Sequence, residues 1–263
     1  MLTELGLYKL WDRNPDTAWR FTRPWFRLVM EAIAPSYGYG VERIPASGGG
    51  VVVANHLSAI DPPLVAMFSS RTMYYMAKAE LLDVPVAGEA LRWLGTFGVR
   101  RGEGDRDALR VARWLVQEGH LVGMFMEGTR QKLGYPGPAQ PGAAMIAIQE
   151  GVPVVPCGAE AFKWSFKNRR RCAVVWGEAI DLGGLPRNGR GYKEGSLIIE
   201  DAILGLWRLA AVAVAVGFPE ELWDGSRRST YVSGRDVHKE VGLRAWPDEP
   251  WAVGPLGPVY TGT

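Results

Sequence analysis

Val51-Val52-Val53-Ala54-Asn55-His56-Leu57-Ser58-Ala59-Ile60-Asp61 is the stretch that decides how this chain reads. Four small apolar residues, three of them β-branched, favour a strand buried on both faces. A histidine and an aspartate follow it, at the strand end where α/β proteins gather their polar chemistry. On a regular helix His56 and Asp61 would point about 140° apart. In a strand-to-helix loop the chain can instead fold back, so that the carboxylate accepts the imidazole N–H and frees the other ring nitrogen to take a proton. The plainer alternative stays open: Asp61 caps the helix that Pro62 begins, and His56 is a polar loop residue.

Outward from that stretch, short apolar strands alternate with helical segments. Strands are expected at 73–77, 97–99, 121–126, 152–156 and 172–176, and helices from Pro24 to Ala34, up to Leu94, over 105–118, over 142–149 and over 195–218. The alternation predicts an α/β fold, a single-domain sandwich around a mostly parallel or mixed sheet. We divide the chain into an aromatic and basic N-terminal helical segment (1–35), a central domain (36–225) and a tail rich in proline and glycine (226–263).

The composition narrows the classes of function. With 263 residues, 47% of them hydrophobic, the chain has material for one sizeable core. A net charge of +2 argues against a nucleic-acid partner. Cys157 and Cys172 lack metal-type spacing and His120 and His238 are scattered, so no metal site is expected. No Gly-x-Ser-x-Gly elbow, phosphate-binding glycine loop or His-Glu-x-x-His sequence is present. No apolar run reaches the length of a spanning helix, yet Trp11, Trp19, Phe21, Trp25 and Phe26 alternate with Arg13, Arg20, Arg23 and Arg27. That pattern reads either as a packed amphipathic helix or as one lying at a lipid surface. Lys163 to Arg171 is the most basic run, read as a solvated loop or as an attractor of anionic headgroups or coenzyme phosphates.

Phe125-Met126-Glu127-Gly128-Thr129-Arg130 is a second strand that runs into a polar turn. There Gly128 permits a close backbone approach and Arg130 offers a forked donor to a phosphate. Arg100 and Arg101, past another short strand, could add a second clamp.

Asn55-His56 through Asp61, Gly95 through Arg101, Phe125 through Arg130 and Val152 through Pro156 follow the order and spacing of the four motif blocks of the glycerolipid acyltransferases. Across roughly residues 36 to 182 the chain resembles the 1-acylglycerol-3-phosphate acyltransferase family. The resemblance implies His56 as general base and Asp61 as its orienting partner. It implies Asn55, Arg101, Glu127, Gly128, Thr129 and Arg130 on the acceptor side, and Val154, Val155 and Pro156 lining the acyl side. The implied substrates are a lysophospholipid acceptor and an acyl thioester donor, acyl-CoA or acyl-ACP, with no other cofactor. The implied setting is the cytoplasmic face of a membrane, held peripherally. Met126 departs from the proline usual in the third block, and Gln131 from the serine often found after its arginine; both departures bear on acceptor identity. The alternatives are another lysophospholipid or a glycolipid acceptor, or a lipid-binding protein without activity. The backbone N–H groups near His56 are the candidates for stabilising a developing oxyanion.

Overall fold

The computed structural model describes residues 15–99 and 106–216. Arg100 and Arg101, the segment before Pro15 and the tail expected at 226–263 lie outside the described residues. Helix α1 (Pro15–Ile33) leads into β1 (Ser36–Tyr39), a 3-10 turn and β2 (Gly50–Ala54). Then come α2 (Asp61–Met67), β3 (Met73–Lys78), α3 (Ala79–Leu82), α4 (Ala87–Trp93) and β4 (Phe97–Val99). The remainder is α5 (Arg106–Gln117), β5 (Leu121–Phe125), α6 (Gly142–Glu150), β6 (Val154–Glu160), β7 (Cys172–Trp176) and α7 (Gly189–Val216).

The seven strands form one sheet in the order β1-β7-β6-β2-β5-β3-β4. All neighbours run parallel except the antiparallel pair β6 and β7. The period of two along each strand sorts its residues between two cores. Val51, Val53, Tyr74, Val122 and Val154 face the layer of α5, α6 and α7. Val52, Ala54, Tyr75, Val155 and Cys157 face α1 and α2. Burial on both sides is why β2 and β6 read as unbroken apolar runs rather than alternating ones. The expected α/β sandwich around a mixed sheet is the observed architecture.

Several expected boundaries move. Pro24 lies inside α1 instead of starting it. Proline there removes one N–H bond, to the Arg20 carbonyl, but Trp19 and Met30, both buried on the core, hold the turns on either side of it. The helical stretch expected up to Leu94 is divided into α3 and α4. At the break, Ala87 N–H closes on Pro85 O at 2.7 Å and Val86 takes φ 65°, a three-residue turn that no helix accommodates. Ser36–Tyr39, too short and polar to stand out, becomes a strand by pairing with β7, and α7 begins at Gly189, ahead of the start expected at residue 195.

Parallel pairing aligns the C-terminal ends of β2 and β5, while β6 runs on beside them to Glu160. Ala54 lies opposite Phe125 on one side and Cys157 on the other. β5 and β6, neighbours in sequence, flank β2 on opposite sides, so the chain leaving Ala54 emerges where the strand order reverses, the place at which α/β sheets commonly hold their sites.

Candidate active site

His56 and Asp61 meet where β2 ends. His56 Nδ1 lies 3.0 Å from Asp61 Oδ2, and the same oxygen accepts the backbone N–H groups of Leu57 and Ser58, each at 2.6 Å. The loop thus wraps around one carboxylate oxygen. Asp61 is the first residue of α2 rather than its N-cap, which is Ile60, because its side chain turns back into the loop. The aspartate side chain is fully buried, while that of the histidine keeps 15% of its surface exposed. Burial raises the Asp61 pKa, and the His56 ring and the two backbone donors draw it back down. Three donors on one oxygen favour the carboxylate, which fixes Nδ1–H on the ring and directs Nε2 away from Asp61. The Phe125 ring stacks on the imidazole, centroids 4.3 Å apart and planes 24° from parallel, and so limits its rotation.

The third block folds against the first. Gln131 N–H donates to His56 O at 2.8 Å, which places Arg130 beside the histidine loop. Thr129 and Arg130 are exposed there. Gly128 has φ +68°, the left-handed conformation that glycine adopts without strain. Its neighbourhood is open, with the nearest contact to an added Cβ at 3.8 Å, so the turn's shape, rather than close approach, is what calls for glycine. Met126, in the proline's place, gives its N–H to Ala54 O at 2.9 Å. This bond, unavailable to proline, extends the β2–β5 pairing to the base of the His56 loop.

Glu127 turns inward. It is 6% exposed, and its Oε1 accepts the His56 N–H at 3.3 Å. Burial pushes its pKa up to about 8, against the downward pull of nearby backbone N–H groups. In this structure it braces the histidine loop. The folded protein holds this proton more tightly than an unfolded chain, in which a glutamate titrates near 4.5. The stability it confers is complete below that value and is lost as pH rises towards 8. Glu127→Gln is therefore expected to gain stability relative to the parent as pH rises between about 4.5 and 8, with a constant difference above; denaturant unfolding of both proteins across that range checks it.

Two groups of expected site residues are placed elsewhere. Asn55 is fully buried, and its amide spans to β6, with Nδ2 donating to Ala159 O and Oδ1 accepting Ala159 N–H, both at 2.8 Å. The amide is thereby spent on clamping β2 to β6 directly beneath His56, which makes Asn55 a positioning residue rather than an acceptor contact. Val154, Val155 and Pro156 pair with Val51, Val52 and Val53 in the sheet interior. Val154 packs into one core and Val155 into the other, so these side chains are spent on the cores rather than placed at the His56 loop. The backbone donors proposed for an oxyanion are also engaged: His56 N–H with Glu127, and those of Leu57 and Ser58 with Asp61. Phe125 and Ala159 were not anticipated from sequence. The aromatic at the end of β5 was the available signal for Phe125; for Ala159 there was none, since its part depends on strand register. Among the described residues no group of His, Cys, Asp or Glu could hold a metal ion.

An α/β sheet thus carries a buried aspartate behind a partly exposed histidine, with a polar turn carrying arginine beside it, an arrangement suited to moving a proton close to a negatively charged group. Residues 38–160, a little under half of the chain, match the acyltransferase family model. It is 36% identical over 121 residues to a chloroplast 1-acyl-sn-glycerol-3-phosphate acyltransferase of Brassica napus, an alignment covering 44% of this chain and 35% of that one. It is 29% identical over 159 residues to the 1-acyl-sn-glycerol-3-phosphate acyltransferase of Bacillus subtilis, covering 58% and 78%. The matched part thus spans only about a third of the length of the plant relatives. The fold is that of the 1-acyl-sn-glycerophosphate acyltransferase PlsC of Thermotoga maritima, with a TM-score of 0.58 over 75% of this chain and 85% of that one at 23% identity.

Proposed function

We propose that this chain transfers a fatty acyl group from a thioester, of coenzyme A or of an acyl carrier protein, to the free hydroxyl of 1-acylglycerol 3-phosphate, giving phosphatidic acid. The observation that carries the reading is the His56 Nδ1 to Asp61 Oδ2 contact of 3.0 Å, with the aspartate buried and the histidine reachable. His56 Nε2 takes the proton of the acceptor hydroxyl as its oxygen attacks the thioester carbonyl. The C–S bond breaks from the tetrahedral intermediate, and the thiolate recovers the proton from the imidazolium. Asp61 stabilises that imidazolium and holds the ring in the productive tautomer. Arg130, exposed beside the loop, binds the acceptor's phosphate, an anchoring role that we extend to Arg101. The names of the relatives support the choice of acceptor.

The test is release of free thiol from acyl-CoA and from acyl-ACP by the purified protein with 1-acylglycerol 3-phosphate, the lipid product being identified by mass. Acceptor-dependent turnover that falls by about two to four orders of magnitude in His56→Ala is the expected result. Turnover with other lysolipids only would reassign the acceptor, and none with either donor would leave a lipid-binding protein.

We also propose that α1 rests on a membrane surface. Trp19 and Met30 fill its buried face, while Phe21, Trp25, Leu28 and Val29 form a second apolar stripe that is 56–72% exposed. No helix among the described residues is long and apolar enough to cross a membrane, so the stripe is suited to lying in an interface. Replacing Phe21 and Trp25 together by Glu is expected to cut co-sedimentation with phospholipid vesicles by at least about tenfold, from the apolar area withdrawn. Undiminished co-sedimentation would assign the stripe elsewhere.

A further inference from the structure

A cavity of about 230 Å³ opens between the first turns of α1 and the loop joining α2 to β3. Arg20, Arg23, Arg71, Ser70, Thr72 and Asp16 are on its walls. It lies by the N-terminal end of β3, whereas His56 follows the C-terminal end of the parallel β2. The five residues of strand between those levels amount to roughly 16 Å at ~3.3 Å per residue. The cavity is separate from the candidate active site, although α2 connects them, carrying Asp61 at its start and the wall residue Ala66 near its end.

The two inner arginines are aimed by neutral groups. Arg23 donates to Ser69 O, and Arg71 donates to Pro45 O at 2.9 Å and Gly119 O at 2.8 Å. Backbone carbonyls orient a guanidinium but do not cancel its charge, and each guanidinium has five N–H donors, so several stay available. Burial works against both cations. Among the described residues Asp16 is the one carboxylate on the wall, against three guanidinium groups. It pulls on Arg71 through space without forming an ion pair. Three cations against one anion leave an excess of two positive charges, the complement of a phosphate monoester. The hydroxyls of Ser70 and Thr72 add neutral donors at the rim.

We propose that this cavity is a second anion site, which takes the phosphate group of a lipid headgroup or free phosphate between Arg20, Arg23 and Arg71. Exposed Arg20, which makes no side-chain bond to another of the described residues, closes over the anion from α1.

Hydrogen–deuterium exchange of the full chain, with and without inorganic phosphate, tests the site apart from any turnover. Phosphate is expected to protect peptides covering residues 16–23 and 69–72, read separately from those of 127–131 in the candidate active site. Arg20→Ala is expected to raise the phosphate concentration needed for half-protection about tenfold, the worth of a charge-assisted contact, and Arg23→Lys to raise it with the fold kept. No protection at 69–72, or the same midpoint in both variants, overturns the site. Phosphatidylcholine vesicles with and without phosphatidic acid then distinguish the sources. Loss of the phosphatidic acid preference in Arg20→Ala, with inorganic phosphate competing in the parent, assigns a lipid headgroup; an unchanged preference assigns free phosphate.

Discussion

Asp61→Asn is expected to lower kcat by about two to four orders of magnitude while leaving the protein folded. The carboxylate oxygen that matters accepts from His56 Nδ1, Leu57 N–H and Ser58 N–H. An amide oxygen in the same place still accepts all three, so the loop keeps its shape. It is neutral, however, and no longer offsets the charge that forms on His56 when the acceptor's proton arrives. Asp61→Ala separates the two roles. It leaves the N–H groups of buried Leu57 and Ser58 without an acceptor, at about 1–3 kcal/mol each, or roughly 2–6 kcal/mol together. Measuring kcat and the denaturation midpoint of both variants checks the division. An Asn variant near parental kcat would sink the role given to Asp61, and an Ala variant as stable as the Asn variant would sink the account of the loop.

The second large effect is expected at a position that carries no chemistry. Gly158 lies in β6 where α7 crosses it, and a Cβ there would sit 2.2 Å from both Leu206 C and Trp207 N. These are backbone atoms in the middle of a long helix, so no rotamer change relieves the clash. Gly158→Ala is expected to cost about 3 kcal/mol or more, the upper end of overpacking effects. The strain also reaches the site. The next residue, Ala159, is the one Asn55 clamps through both its N–H and its C=O, and Glu160 beyond it accepts Trp207 Nε1 at 2.7 Å. Lifting α7 from β6 therefore loosens the floor beneath His56, and activity should fall with stability. Chemical denaturation alongside the thiol-release assay measures both, and an alanine variant as stable as the parent would contradict the packing described.

How much of this was legible in the sequence differs from residue to residue. Pro24 misled because proline signals a helix start wherever it falls, whereas core contacts on both sides of it carried α1 through. Ser36–Tyr39 had no signal of its own, since an edge strand owes its existence to its partner. Glu127 stood out as part of a motif, but the direction of its side chain was not readable, because the turn at Gly128 decides it. The resemblance implies Asn55 on the acceptor side, and only the register of β2 against β6 reveals what its amide does.

By itself the sequence determined the α/β class, through apolar runs of strand length alternating with helical periods. It also set His56 and Asp61 five residues apart, near enough for a short loop to close on one carboxylate, and the four-block resemblance favoured that pairing over a plain helix cap. Both are local properties, set within about a dozen residues of chain. The tertiary structure decided the rest. Parallel pairing brought β5 and β6 to either side of β2, stacked Phe125 on the imidazole, and left Asn55 and Glu127 bracing the loop from opposite sides. It sent Val154 and Val155 into the cores and drew three arginines from two separate segments around one cavity. These placements depend on contacts between residues far apart in the chain, whose geometry no local spacing encodes.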